Sequence, residues 1–222
     1  MRAAVASCHV ERLLDDDVWT RYSALVRARP AGFRIAALVR PPDGEDEARW
    51  LERARTLDAP FGLHTHWTSP SHARPTDGNT AARVRRDLDW LAAQGLTPRY
   101  FSGGGWYTDD DVRAVVADAG LVDLTATTFP LPYGGGRVVG GPEKDLLPAT
   151  HTIGMLARSI RLPDYVHVYF HDTDLLDRRR RALLGALLPL LARVAEPTDL
   201  DALRVRIAGM APAIPWADVA RF

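Results

Sequence analysis

Two histidines separated by one threonine, in the stretch "FGLHTHWTSP" (Phe61 to Pro70), stand out as residues that could do chemistry. The apolar lead-in reads as a buried strand. On a strand, residues two apart share a face, so His64 and His66 project side by side while Leu63 and Thr65 point the other way. The same spacing recurs in "CHVE", which places His9 and Glu11 two apart at the end of another apolar run. Three imidazoles and a carboxylate make a borderline-soft N/O donor set that suits zinc and tolerates other divalent first-row metals. Burying four such groups unpaired would cost on the order of several kcal/mol, which a shared cation removes. In "FHDTDLL", His171 ends a third apolar run beside Asp172. An imidazole there is a candidate general acid, because its unperturbed pKa lies near neutrality. His167, four residues earlier, is expected to pack lower in the sheet.

The elements that must position these groups alternate along the chain. Strand-like runs "AAVASCHV", "FRIAALV", "PFGLHTH", "PRYFS", "LVDLTAT" and "YVHVYFH" are separated by amphipathic stretches such as "VWTRYSALVRAR", "EDEARWLERARTL" and "NTAARVRRDLDWLAAQ". That alternation is the pattern of a parallel sheet with crossover helices. Six or seven such units in 222 residues predict a single α/β domain, residues 1–222, and suit a barrel-like sheet better than a flat doubly wound one, two forms that periodicity does not separate. His9, Glu11, His64, His66 and His171 then share the rim formed by the C-terminal strand ends, where such folds carry their chemistry. Asn79, Thr108 and Asp174 read as helix N-caps. The Gly/Pro-rich segment Phe129 to Pro148 predicts an excursion, in part a hairpin, and the tail predicts a last short helix.

Composition narrows the partners. The chain has 28 basic and 28 acidic residues, so no net field recruits nucleic acid or an anionic membrane. No signal-length apolar run opens the sequence and no stretch approaches the ~18 apolar residues of a membrane span, so a cytoplasmic protein is expected. The single cysteine, Cys8, excludes an internal disulfide and reads as a small buried residue. There is no G-x-S-x-G elbow, no phosphate loop and no dinucleotide fingerprint. In "RYFSGGGWY" (Arg99 to Tyr107) the glycines would let backbone approach a ligand, and Trp106 with Tyr107 would offer a stacking wall to a sugar ring.

Taken in order, "CHVE", "GLHTHWTSP", "RYFSGGGWY", "LVDLTAT" and "VYFHDTDL" resemble the polysaccharide deacetylases, the NodB-homology group of carbohydrate esterase family 4. The resemblance is diffuse but spans most of the chain. It implies a distorted (β/α) barrel of about seven strands and removal of N- or O-acetyl groups from sugars with a divalent metal, usually zinc. By that resemblance Glu11 is the acidic metal ligand, His9 stands at the place of the Asp base, and His64 is the first metal histidine. The family's second metal histidine usually follows four residues on, where this chain has Thr68, so His66 is the substitute. Ser102 occupies the place of an orienting Arg, leaving Arg99 as its replacement, while Asp123 and His171 resemble the later catalytic Asp and the acid. Trp67 joins Arg99, Trp106 and Tyr107 as a substrate-contact candidate.

The expected activity is metal-dependent hydrolysis of an acyl group, chiefly acetyl, from an N-acylated sugar or a glycosylated small metabolite. His171 protonates the leaving amine in this reading. Two assignments of the metal site stay open: Glu11, His64 and His66 as ligands with His9 as base, or His9, His64 and His66 as ligands with Glu11 as base. A barrel that binds a sugar or metabolite without hydrolysing it is the alternative from another class, and a metal-dependent isomerase or epimerase is a third.

Overall fold

The computed structural model describes residues 2–57, 61–76, 78–125, 138–140, 146–148, 150–153 and 165–207. Along the chain run β1 (Ala3–Val10), α1 (Asp16–Ala28), β2 (Ile35–Val39), α2 (Glu47–Ala54), β3 (Phe61–Thr65), α3 (Thr80–Ala93) and β4 (Tyr100–Gly103). They are followed by α4 (Asp110–Asp118), β5 (Val122–Asp123), β6 (Val138–Gly140), β7 (Leu146–Pro148), β8 (Thr150–Thr152), β9 (Tyr165–His171), α5 (Arg178–Val194), β10 (Glu196–Pro197) and α6 (Leu200–Ile207).

Every residue of β1 and β2 is buried, as expected of central strands in a parallel sheet covered on both faces. The strand order is β5-β4-β3-β2-β1-β9-β8, with β10 also pairing the start of β1, and every ladder in this sheet is parallel. The sheet curls into a distorted (β/α) barrel; among the described residues no ladder joins β8 to β5. Strand β8 was not foreseen from the sequence. The antiparallel pair β6–β7 is the hairpin expected within Phe129 to Pro148, the rest of which lies outside the described residues. Helix α6 is the last short helix expected of the tail, whose remainder also lies outside them.

Five of the helices begin with an aspartate whose carboxylate accepts a first-turn backbone N–H: Asp15, Asp46, Asp109, Asp177 and Asp199. Asp109 therefore replaces the expected Thr108. Asp174 caps a short 3₁₀ turn after β9, accepting from the His171 backbone N–H at 3.0 Å, while Asp177 caps α5. Asn79 occupies the N-cap position of α3 without a side-chain capping bond to that helix.

The two faces of the sheet have different fates. Cys8, Ile35, Ala37, Leu63 and Phe101 pack outward against Trp50, Val84, Val112 and Leu184 of the helices. Inside the curl, Ala3, Val5, Ala36, Leu38, Tyr100 and Val122 form a smaller apolar plug with Leu200 and Leu203 of α6. Strand β1 reads upward on this inner face from Ala3 and Val5 to Ser7 and His9, so polarity rises toward the C-terminal rim. The layer between plug and rim is bridged by Ser7 and His167, whose Oγ and Nε2 lie 2.8 Å apart, which puts His167 below the rim as expected. With α6 closing the N-terminal end, the rim is where a ligand can enter.

No helix among the described residues is long and apolar enough to cross a membrane.

Candidate metal centre

The three strand ends converge. Parallel register sets His9 opposite His171 across β1–β9, and His64 opposite Ser102 across β3–β4. The Glu11 carboxylate, just past β1, lies with Oε1 3.4 Å from Nε2 of His64 and 3.4 Å from Nε2 of His66. Nε2 of His171 stands 3.6 Å from the same oxygen. Glu11, His64 and His66 each offer a ligand atom, and these atoms all lie within 4.8 Å of one another.

Protonation follows from the other side of each ring. Nδ1 of His64 lies 2.8 Å from the Ser102 carbonyl oxygen, and Nδ1 of His66 lies 3.0 Å from that of Pro70. A carbonyl oxygen only accepts, so both Nδ1 atoms carry the proton and donate it. The Nε2 atoms then present lone pairs unless a second proton is bound. Burial lowers the His64 pKa even against the raising influence of Glu11, so at neutral pH its lone pair is free. Nε2 of His66 is buried with no hydrogen-bond partner. Two imidazole lone pairs and a carboxylate oxygen thus face one another, an arrangement that repels itself without a cation. Backbone-anchored Nδ1–H groups of this kind fix the ring and tautomer of metal-binding histidines. The residues present fit a divalent ion.

His9 is 3% exposed and lies under this set. Its ring stacks on His64, 4.3 Å between centroids and 27° between planes, and meets His171 edge-on at 4.9 Å. Burial first, then the neighbouring His64 and His171, hold its pKa well below the usual histidine value. His171 is the more accessible ring, its side chain 34% exposed. Its Nδ1 is 3.9 Å from the Asp174 carboxylate.

Of the aromatic candidates, Trp106 packs on His9 at 5.1 Å and on Tyr169 at 4.8 Å, walling the inner side of the site. It is the one non-glycine among the described residues with positive φ, at 57°. Trp67 and Tyr107 pack on each other at 5.2 Å and are tied to the helix starts, Trp67 Nε1 donating to the Thr80 carbonyl and Tyr107 Oη to Asp109. The glycines that precede them serve this packing rather than a ligand. A Cβ on Gly103 would strike the Tyr107 carbonyl, and one on Gly104 would come within 2.7 Å of the Thr65 carbonyl and 2.9 Å of His66 Cδ2.

Two candidates are placed elsewhere. Arg99 precedes β4 at the opposite end of the barrel, where it pairs with Asp201 of α6 at 2.9 Å, so the structure does not bring it to the rim. Asp123 is in register with Phe101, on the outward row, one position off the row that carries His64 and Ser102. Its Oδ1 accepts from the Thr125 backbone N–H at 2.8 Å.

Two site residues, Tyr169 and Arg40, escaped the sequence reading, and a third, Asp172, entered it only as the neighbour of His171. Tyr169 stacks beside His9, and burial, with Asp174 adding to it, pushes its pKa up to about 12. Its position two before His171 was the available signal. Asp172 is fully buried, and its Oδ2 accepts from the Arg12 backbone N–H at 2.8 Å, steadying the segment that carries Glu11. Arg40, 6% exposed at the end of β2, donates from Nε to the Glu11 carbonyl at 3.0 Å. Beside Glu11 and His66 opens a cleft of about 580 Å³, walled by Leu13, Arg40, Glu45, Trp50 and Pro70.

This curled parallel sheet is a distorted (β/α) barrel, a fold it shares with a solved carbohydrate esterase. Among solved structures, the family 4 carbohydrate esterase from Streptomyces lividans, determined in complex with acetate, matches with a TM-score of 0.50 over 87% of this chain and 88% of its own, at 15% identity. No family model and no curated protein matches the sequence.

Proposed function

We propose that this protein is a metal-dependent hydrolase that removes an acyl group, acetyl in the first instance, from an N-acylated sugar or glycosylated small metabolite. The observation that carries this reading is the facing of two backbone-anchored imidazole lone pairs and the Glu11 carboxylate across 3.4 Å at the mouth of the barrel. The similar Streptomyces lividans esterase was determined with acetate, the acid that a deacetylation releases.

Glu11, His64 and His66 would hold the divalent ion, for which zinc suits the N/O donors. When bound, such an ion supplies Lewis-acid polarisation of the acyl carbonyl and eases deprotonation of water. This ligand set is favoured over one containing His9, because a ring stacked face to face on His64 does not aim its in-plane lone pairs at the point His64 addresses. His9 is then the group that accepts the proton of the attacking water, and burial keeps it in the neutral form a base requires. His171, at the open side of the site, holds the proton that goes to the leaving nitrogen as the C–N bond breaks. Trp106 and Tyr169 exclude water from the inner wall, and Trp67 with Tyr107 lies beside the approach for a sugar ring. No nucleic-acid or membrane partner enters this reading, and the protein is proposed to act in the cytoplasm.

The test is release of acetate from a panel of N-acetylated sugars by protein loaded with zinc or cobalt. Release that stops on chelation supports the hydrolase. Sugar binding without acetate under any divalent metal would overturn it in favour of a barrel that binds and does not turn over.

A further inference from the structure

Glu11 is the first residue beyond β1, so the carboxylate at the centre of the site hangs from backbone that has left the strand ladder. We infer that Arg40, locked by Glu45, is a positioning residue that fixes this backbone and thereby aims the Glu11 carboxylate at His64 and His66.

Four hydrogen bonds hold the guanidinium. Nε donates to the Glu11 carbonyl at 3.0 Å, Nη1 to the Pro41 carbonyl at 3.1 Å, and Nη2 to both Glu45 carboxylate oxygens at 2.8 and 3.0 Å. Arg40 is itself held at both ends of its backbone. Its N–H donates to the Val10 carbonyl at 3.0 Å, one step past the last β1–β2 pair, and its carbonyl accepts from Trp50 Nε1 at 3.0 Å. Glu45 is steadied in turn by the Asp43 backbone N–H at 3.1 Å. On the far side of the same loop, Asp172 takes the Arg12 N–H, so residues 11 and 12 are gripped from β2 and from the end of β9. Burying a guanidinium at 6% exposure is costly unless its donors are met in fixed geometry, and here they go to the Glu11 and Pro41 carbonyls and to the carboxylate that keeps the fork in place. Ligands must be held within about 0.5 Å of their working positions, which a free strand end does not ensure.

This inference rests on the metal-site reading above, and one titration separates the two. Chelated wild-type protein and Arg40→Lys are titrated with Co²⁺, followed by visible absorption, and the apo proteins are melted in parallel. A lysine keeps the charge but has no fork to hold Glu45 and the Glu11 carbonyl together. The expected result is a Co²⁺ affinity about 10–100-fold weaker in folded Arg40→Lys, the range that loss of a supporting residue gives. A merely structural role would lower the apo melting temperature and leave the affinity of the folded protein unchanged, and that outcome overturns the inference. If Arg40→Lys does not fold, Glu45→Gln takes its place: weaker Co²⁺ binding supports positioning and equal binding overturns it. A wild-type protein that binds no Co²⁺ removes the metal site first and this inference with it, whereas equal binding by wild type and variant removes the inference alone.

Discussion

The ring of His9 lies stacked on that of His64, 4.3 Å between centroids, so a buried imidazole presses on the face of a proposed metal ligand. Such a ring has little freedom to be a ligand beside His64, and its lowered pKa leaves it neutral through the physiological range.

A neutral base at this position predicts the acid limb of kcat/KM. Activity should hold as pH falls to 6.5 and decline only below it, since His9 protonates below its unperturbed value. His9→Asp should retain measurable activity with Co²⁺ affinity within a few-fold of wild type. Loss of the metal in that variant would reassign His9 as a ligand.

His171→Ala should reduce acetate release by about 100- to 10,000-fold, the usual contribution of a general acid, while bound metal stays at the wild-type level. Steady-state kinetics and metal analysis on the same preparation decide it. A variant that keeps full turnover would leave the leaving nitrogen to another proton donor.

Gly104 tests the packing beneath the rim. Alanine there meets the Thr65 carbonyl at 2.7 Å and Ala73 Cβ at 2.8 Å, so Gly104→Ala should cost about 1–3 kcal/mol as overpacking. At about 2–4 °C per kcal/mol for a chain of this size, thermal melting should show a clear drop. An unchanged melting temperature would mean that the β4 turn yields freely.

Asp172 has its carboxyl raised to about 6, by burial above all, against the backbone N–H groups that lower it. A raised acid is protonated more readily in the folded state, so its contribution to stability is full below about pH 4 and is lost as pH rises through 6. Carboxyl-carbon NMR should give an Asp172 midpoint near 6, and Asp172→Asn should lose this component of the stability–pH curve. A midpoint below 4 would contradict the burial argument.

Much of the site was legible because strand geometry has a period of two. Paired polar residues ending apolar runs could only share a face, and His9/Glu11, His64/His66 and His171 did converge. What spacing does not encode is which end of a strand a residue occupies: Arg99 lies three residues before Ser102, yet that is the difference between the α6 end and the rim. Nor does it encode the row: Asp123, a catalytic candidate by resemblance, pairs with Phe101 on the outward face. Arg40 was hidden for a different reason. An arginine after an apolar run reads as the start of a solvated loop, and only tertiary structure shows its donors turned inward onto the Glu11 carbonyl. The anchoring of His66 by the Pro70 carbonyl depends likewise on where the Ser69–His72 turn lies against the ring, which its Ser-Pro signal does not specify.

Equilibrium titration of the chelated protein with Co²⁺ tests the central claim most directly. One equivalent should bind to wild type, and His64→Ala and His66→Ala should each lose more affinity than the roughly 10–100-fold attributed to a supporting residue, with the melting profile of the apo fold retained. Full occupancy in both variants, or no binding by wild type, would contradict a metal centre built from Glu11, His64 and His66.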